Sequence, residues 1–418
     1  MKQQFTPGNV KIYKAELSND SGAALDITPQ IKNLSIFESV YDPTVFCEVL
    51  MEDSIDLWRT FPINGEETLE VLFKTPSVDD ITTYTFRIYK LKDKVDRTNN
   101  KVSLYVLEGV SVESIQAITV GKLNISYEEP FENIITNILT RQIGSSKKVF
   151  VEKTKGIVPV AIPNLYPFQA IDFLKERAVS AEVPNSSYKF YENQHGFHFR
   201  TLESLLLTKR NDIGSKEFTY DNSSTSTNKD VKANSFRNIV VLDKNDLADS
   251  VRNVVAGGYK NVTETFDMIT KQINKTEVDF VKNANQFIAS DQAATPFNTQ
   301  EFFAGLNKSV KKAKTFFSVG DSSQTTNPLS ANIGRKNAYQ TMFGTVGISV
   351  LVYGDSTLTA GETLVINTAN AKGTTGRDSK EAKISGKYLI TGLRHLISPG
   401  AQSTHYTAMK LEKMGYSA

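Results

Sequence analysis

Cysteine is almost absent from this 418-residue chain: Cys47 stands alone, which excludes a disulfide within the molecule and fits folding in a reducing cytosol. Histidine is nearly as scarce, with four residues, and Trp58 is the single tryptophan. No apolar run reaches the roughly eighteen residues that a membrane-spanning helix needs. The opening segment MKQQFTPGNV lacks the apolar stretch of a secretory signal. Neither charge sign dominates: 48 basic and 46 acidic residues leave a formal charge of +2, so composition offers no basic face for nucleic acid. G-x-S-x-G, H-E-x-x-H and P-loop motifs are all missing. These absences predict a soluble protein made in the cytoplasm, without cofactor, metal or recognisable catalytic motif.

What is present is strand pattern. With 39% hydrophobic and 10% aromatic residues the chain can bury sizeable cores, and its length suggests more than one packing unit. Val10 to Leu17, Ile31 to Phe37, Thr68 to Lys74, Thr83 to Leu91 and Lys101 to Glu108 alternate apolar and polar residues with period two. Val45 to Met51 is a more apolar strand. It ends at Asp53, a candidate cap for a short helix over Ser54 to Phe61 that buries Leu57 and Trp58. The polar turn DRTNN joins the last two strands as a hairpin.

The period then changes. Pro130 to Ile138 and Pro167 to Ala178 each open with proline at a helix start. Phe131, Ile134, Ile135 and Ile138 share one face, as do Phe168, Ile171, Leu174 and Ala178. A hairpin follows from Ser187 to Tyr191 and Phe197 to Leu202, turning through Glu192–Gly196. Residues 221–230 (DNSSTSTNKD) read as a polar loop. Tyr259 to Phe280 reads as strand, helix, strand. Asn298 is placed to cap a helix from Thr299 to Phe317, with Glu301 completing a capping box and Phe302, Leu306, Val310, Ala313 and Phe317 as its apolar stripe. Lys308, Lys311, Lys312 and Lys314 mostly lie off that stripe, as a solvated face does. Strands resume at Val346 to Val352, Thr363 to Asn367, Tyr388 to Leu396 and Thr404 to Leu411.

The informative feature is a repeat. NGEETLEV (Asn64–Val71) precedes a loop and the hairpin TFRIYKLKDKV … KVSLYVLEG; AGETLVI (Ala360–Ile366) precedes a loop and the hairpin KYLITGLRHLI … THYTAMKLEK. The turn-to-strand unit, the strand order and the hairpin spacing agree together, which predicts two copies of one small β-barrel-like domain separated by inserted modules. Three chains with two copies each would present six similar surfaces around an axis, matching sixfold and threefold neighbours at once.

The remaining chemistry is sparse. His395 and His405 could face each other across strands, but no spacing marks further metal ligands. His195 and His198 lie in the middle hairpin. Cys47 sits mid-strand in an apolar run, the setting of a core residue and not of a nucleophile. Asp53, Glu66 and Glu67 fall at turns and caps, where N–H groups need acceptors. Gly257–Gly258 is a turn and not a phosphate cradle. Two rival functions remain on this reading: a wall-degrading hydrolase built on such carboxylates, and a receptor- or glycan-binding β protein. Against the second, aromatics such as Tyr84 and Phe86 alternate inward with Ile88.

SVYDPTVFCEVLMEDSIDLWRTFPINGEETLEVLF (Ser39–Phe73) resembles the first tube-like domain of the baseplate hub family of contractile-tailed phages, a family related to the hub part of type VI secretion spikes. SYKFYENQHGFHFRTLESLL (Ser187–Leu206) resembles the hairpin of its α+β module. GDSTLTAGETLVI, GKYLITGLRHLI and HYTAMKLEK resemble its second tube-like domain, and VTETFDMITKQINKTEVDFV (Val262–Val281) its inserted module. The resemblance implies a predominantly β, α+β chain: a first tube-like β domain at 1–115, an α+β module at 116–206, the start of a second tube-like β domain at 207–255, a partly helical insertion at 256–335 and the rest of the second domain at 336–418. It implies a non-enzymatic homotrimer in the virion's tail baseplate, forming a pseudo-hexameric ring between the sixfold tail tube and the threefold spike. Expected partners are a spike protein with an OB-fold on a separate polypeptide, a tail tube or tube-initiator protein, the C-terminus of the tape measure, and wedge or other hub-associated proteins. These are fold motifs and carry no active-site, cofactor or metal residues.

Overall fold

The computed structural model of the chain describes residues 7–97 (except 62 and 77), 102–207, 216–220, 237–246, 256–267 (except 259), 271–279, 313–319, 329–368, 384–400 and 403–414. The opening strands are β1 (Lys11–Ser18), β2 (Ala24–Asp26), β3 (Ile31–Ser39) and β4 (Phe46–Asp53). Their alternation buries Ala15, Leu17, Leu34, Ile36, Cys47, Val49 and Met51 on one side. Asp53 accepts the N–H of Ile55 at 3.1 Å and of Leu57 at 2.8 Å. That turn uses up the residues before Leu57, so the helix expected from Ser54 shortens to α1 (Leu57–Thr60). Leu57 is buried as expected; the side chain of Trp58 lies outside the described set. β5 (Thr68–Lys74), β6 (Thr82–Arg97) and β7 (Val102–Ser111) complete the unit.

A helix that no sequence signal announced, α2 (Val112–Thr119), leads into the α+β module. The module continues with β8 (Ser126–Tyr127), α3 (Phe131–Asn137), β9 (Val149–Val151), β10 (Val160–Ala161), α4 (Pro167–Arg177), β11 (Tyr188–Asn193), β12 (Gly196–Thr201) and α5 (Leu202–Leu207). The expected helical faces form its core: Phe131, Ile134, Ile135, Ile138, Ile171, Leu174 and Ala178 are buried together with Tyr188, Phe190, Phe197 and Phe199 of the hairpin. β9 adds a parallel strand to that hairpin.

β13 (Glu217–Tyr220) and β14 (Ile239–Asp246) begin the second β unit. An inserted three-stranded sheet follows, with β15 (Lys260–Asp267) between β16 (Ile273–Asp279) and β17 (Ala313–Val319). Two helical expectations fail here. β15 and β16 pair as an antiparallel hairpin and take up most of the stretch where a helix is expected, while residues 268–270 lie outside the described set. The stretch Ala313–Phe317, expected to end a helix, is instead a strand parallel to β15. AKTFFSV is rich in aromatic and β-branched residues, and an available strand edge outweighs a weak helical stripe. The rest of that expected helix, with Asn298, Glu301, Lys308, Lys311 and Lys312, lies outside the described residues, as does the loop 221–230. The helix that exists is α6 (Leu329–Met342), packed on β15 and β16; the expected boundary at 335/336 falls inside it. β18 (Val346–Tyr353), β19 (Thr363–Thr368), β20 (Gly386–Ser398) and β21 (Thr404–Lys413) close the chain's described part.

The two β units share one strand order. The first runs β3-β4-β7-β6-β5-β1 and the second β14-β18-β21-β20-β19-β13. Gly65 and Gly361, the glycines of the repeated turn, have φ of +89° and +88°, a left-handed conformation that side chains disfavour. The next backbone bonds match as well: Ile88 N–H donates to Glu67 O at 2.8 Å, and Ile390 N–H to Glu362 O at 2.8 Å. Both hairpins carry a bulge at the same place, between Ile88 and Lys90 and between Ile390 and Gly392. One pairing differs: β1 is antiparallel to β5, whereas β13 is parallel to β19.

The fold is predominantly β, as the alternation predicts, but the expected pair of barrels is not what the described strands form. No set of them closes on itself. The two units instead join edge to edge through β3 and β20 into one 13-stranded sheet.

Candidate functional site

The chemistry of this chain is concentrated where its units meet. β20 pairs with β19 over Gly386–Leu389; the same edge then accepts β3, from Gly392 opposite Ser39 to Ile397 opposite Leu34. Glu38 lies on this seam with its side chain buried. Its carboxylate accepts four hydrogen bonds: Tyr84 Oη at 2.8 Å from the first unit, Thr359 Oγ1 at 2.6 Å and Ala360 N at 2.9 Å from the second, and Gln194 N at 2.7 Å from the α+β module. Burial pushes the carboxyl up to about 7, against the pull of those donors. One side chain thus ties three parts of the chain together.

Neighbouring contacts continue the seam. Thr75 N–H donates to Ser356 Oγ at 3.1 Å, and Ser356 N–H returns a bond to Thr75 Oγ1 at 2.9 Å. The Arg394 guanidinium sits 4.8 Å from the Phe37 ring centre and donates to Ser35 Oγ at 2.9 Å.

A second cluster fixes the α+β module to the first unit. Lys147 Nζ reaches Glu192 at 2.5 Å and Glu113 at 2.6 Å, with Ser111 Oγ also in reach at 2.9 Å. Glu192 in turn accepts the N–H of Val45 at 3.2 Å. Burial raises the Glu192 carboxyl; at Glu113 burial is outweighed by Lys147 and Ser111, and the carboxyl ends lower than usual. A cleft of about 420 Å³ opens beside this cluster, lined among others by Thr83, Tyr84, Lys147 and His195. Glu192, the acid that lines it, is bonded to Lys147, Ser111 and the Val45 N–H.

The residues weighed from sequence fall as follows. His395 and His405 are both buried, and they meet, Nδ1 to Nε2, at 3.0 Å. The edge of each faces the Phe73 ring at 5.7 Å between centres. Burial holds His395 down to about 4 and His405 well below its ordinary value. Among the described residues, no three His, Cys, Asp or Glu gather in a metal-holding group. His198 stacks between Phe150 and Tyr191, bonds Asn193 Oδ1 at 3.0 Å and is held down to about 3 by burial; His195 is exposed on the turn. Cys47 is buried, and burial pushes its thiol far above the reactive range. Glu67 is buried and its carboxylate accepts the N–H groups of Asn64, Gly65 and Glu66 at 2.7, 3.0 and 3.1 Å, while Glu66 points to solvent. Glu67 and Asp53 are each engaged locally with the backbone, and nothing brings Cys47 or the histidines to them.

Sequence reasoning missed Glu38 and Lys147. Glu38 did leave a signal: it takes the inward phase of Leu34 and Ile36, where an acid needs donors supplied by another segment. Lys147, in the loop before β9, left none.

No protein-family model matches the chain, and no curated protein matches it. Solved structures do match, and three of them align over nearly their whole length. The tail protein from Neisseria meningitidis MC58 aligns with a TM-score of 0.56 at 9% identity, covering 96% of this chain and 97% of that one. The prophage MuSo2 43 kDa tail protein from Shewanella oneidensis gives 0.53 at 9% identity, covering 95% and 97%. Prophage tail protein gp18 from Listeria monocytogenes EGD-e gives 0.50 at 7% identity, covering 96% and 94%. The chain has the fold of phage tail proteins. At such low identity the likeness is one of fold, shared by architecture and not by side chains.

Proposed function

We propose that this chain is a structural, non-enzymatic component of a contractile phage tail, the hub of its baseplate. It works as a homotrimer whose six β units form a ring continuous with the tail tube. The observation that carries this reading is the duplicated unit: two copies of one strand order, in a fold shared with phage tail proteins along the whole chain. A duplicated surface lets a threefold assembly offer near-sixfold contacts, which is what joining a sixfold tube to a threefold spike demands. Each unit is then a tube-like wall segment, and the barrel closes only around the ring of copies. The α+β module and the insertion carried on β15–β17 sit outside that wall.

In this reading one face of the ring receives the tail tube or a tube initiator. The other receives a spike protein with an OB-fold, and the tape measure's C-terminus reaches the lumen. Wedge proteins contact the outside. Mass photometry of the purified chain at low micromolar concentration is the direct test. A trimer that binds the spike protein supports the hub, whereas a stable dimer indifferent to the spike rejects it.

A further inference from the structure

The seam within the chain states how one unit grips the next, and the same two edges recur at the far ends without a strand partner among the described residues. In β20, the edge beyond the β19 pairing is filled by β3. The equivalent edge of β6, beyond its β5 pairing at Thr82–Arg87, has no strand partner among the described residues from Tyr89 to Arg97. The strand equivalent to β3 in the second unit is β14; among the described residues it pairs with β18 alone and ends the sheet. Both edges expose apolar side chains: Val95 is 56% exposed, and Val240 and Val241 are each 42% exposed. Strand edges with unpaired backbone groups are templates for strand addition.

We propose that β14 of one copy pairs antiparallel with the C-terminal half of β6 in the next copy, repeating between chains the β3–β20 junction found within one. This rests on the trimeric reading above and adds its contact surface. The register can be transposed. Lys92 faces Val106 as Arg394 faces Ala408, and past the extra residue of the bulge near Asp93 Val95 faces Leu104 as Leu396 faces Tyr406. Phe37 and Ser35 oppose Arg394 and Leu396, and their counterparts through β4 and β18 are Asp246 and Asp243. The transposed pairing sets Lys92 opposite Asp246 and Val95 opposite Asp243, with Lys94 and Lys244 between. A cation therefore occupies one position on both seams, Arg394 inside the chain and Lys92 between chains; Lys92 is held there by Glu108 and Glu48 of its own chain. The register follows from the strand order and bulge that the two hairpins share. The contact is head-to-tail, so it closes into a ring if the turn per unit permits and otherwise grows as a filament.

The test is cross-linking of the full chain carrying Val95→Cys and Asp243→Cys, using a short bis-maleimide. Cys47 is buried and stays out of the reaction. Covalent dimers and closed trimers on a denaturing gel, absent from either single variant, are the expected result. A trimer in solution that gives no such link overturns the edge pairing and leaves the trimeric reading standing; a chain that stays monomeric at all concentrations overturns both.

Discussion

Ala360 donates its backbone N–H to the Glu38 carboxylate at 2.9 Å, across 322 positions of sequence, from the turn of the second β unit to a strand of the first. Tyr84, Thr359 and Gln194 converge on the same carboxylate. Loosening one unit here leaves donors of the other two without an acceptor in a buried place.

Glu38→Ala strands four such donors. Each costs about 1–3 kcal/mol, so a loss of roughly 4 kcal/mol or more in urea unfolding is expected. Glu38→Gln tests the proton. The folded carboxyl titrates near 7, above its ordinary value of 4.5. Between those values the folded state holds a proton that the unfolded chain has released, so this group's contribution is full below 4.5 and is lost as pH rises through 7. The buried histidines act in the opposite direction: His395 and His198, held low, contribute above about 6.5 and lose that contribution as pH falls toward 4 and 3. The difference in melting temperature between wild type and Glu38→Gln isolates the acid. It is expected to shift against wild type from pH 5 to pH 8; a flat difference would place the Glu38 titration elsewhere.

Lys147→Met removes the cation between Glu113 and Glu192, both buried. Orphaning a buried charge costs about 3–5 kcal/mol. The double variant with Glu192→Gln is expected to recover part of the loss in the same denaturation measurement. Two additive penalties would show that the three residues do not act as one cluster.

The repeated glycines should respond unequally. An alanine at Gly65 meets Tyr89 O at 3.3 Å, whereas at Gly361 its Cβ falls 2.0 Å from Tyr191 Oη. Both substitutions incur the left-handed backbone cost of about 1–2 kcal/mol. Gly361→Ala must also displace the tyrosine that docks the α+β module. It is expected to be the more destabilising of the two by calorimetry, and to raise protease sensitivity between the module and the second unit.

How far the sequence could be read follows from the range of each interaction. The strands of the first unit and the middle hairpin were legible because alternation is written within a few consecutive residues, and helices α3 and α4 of the α+β module because proline and an apolar face mark them locally. The stretch Ala313–Phe317 misled because an apolar stripe of helical spacing overlaps a segment that pairs as a strand with β15. β14 and α6 left no strong local signal. Glu38 carried half a signal, an acid in an inward phase, with its four donors scattered from Tyr84 to Ala360. The cluster at Lys147 offered nothing beyond an ordinary lysine in a loop.

By itself the sequence determined that this is a β-rich chain holding two copies of one strand unit, since strand period and repeated turn chemistry are local and survive translation along the chain. Only the tertiary structure decided that the copies fuse through β3 and β20 into a single sheet, and where the buried charges find partners. Those outcomes depend on which distant backbones come within hydrogen-bonding reach, and spacing along a chain does not encode proximity across it.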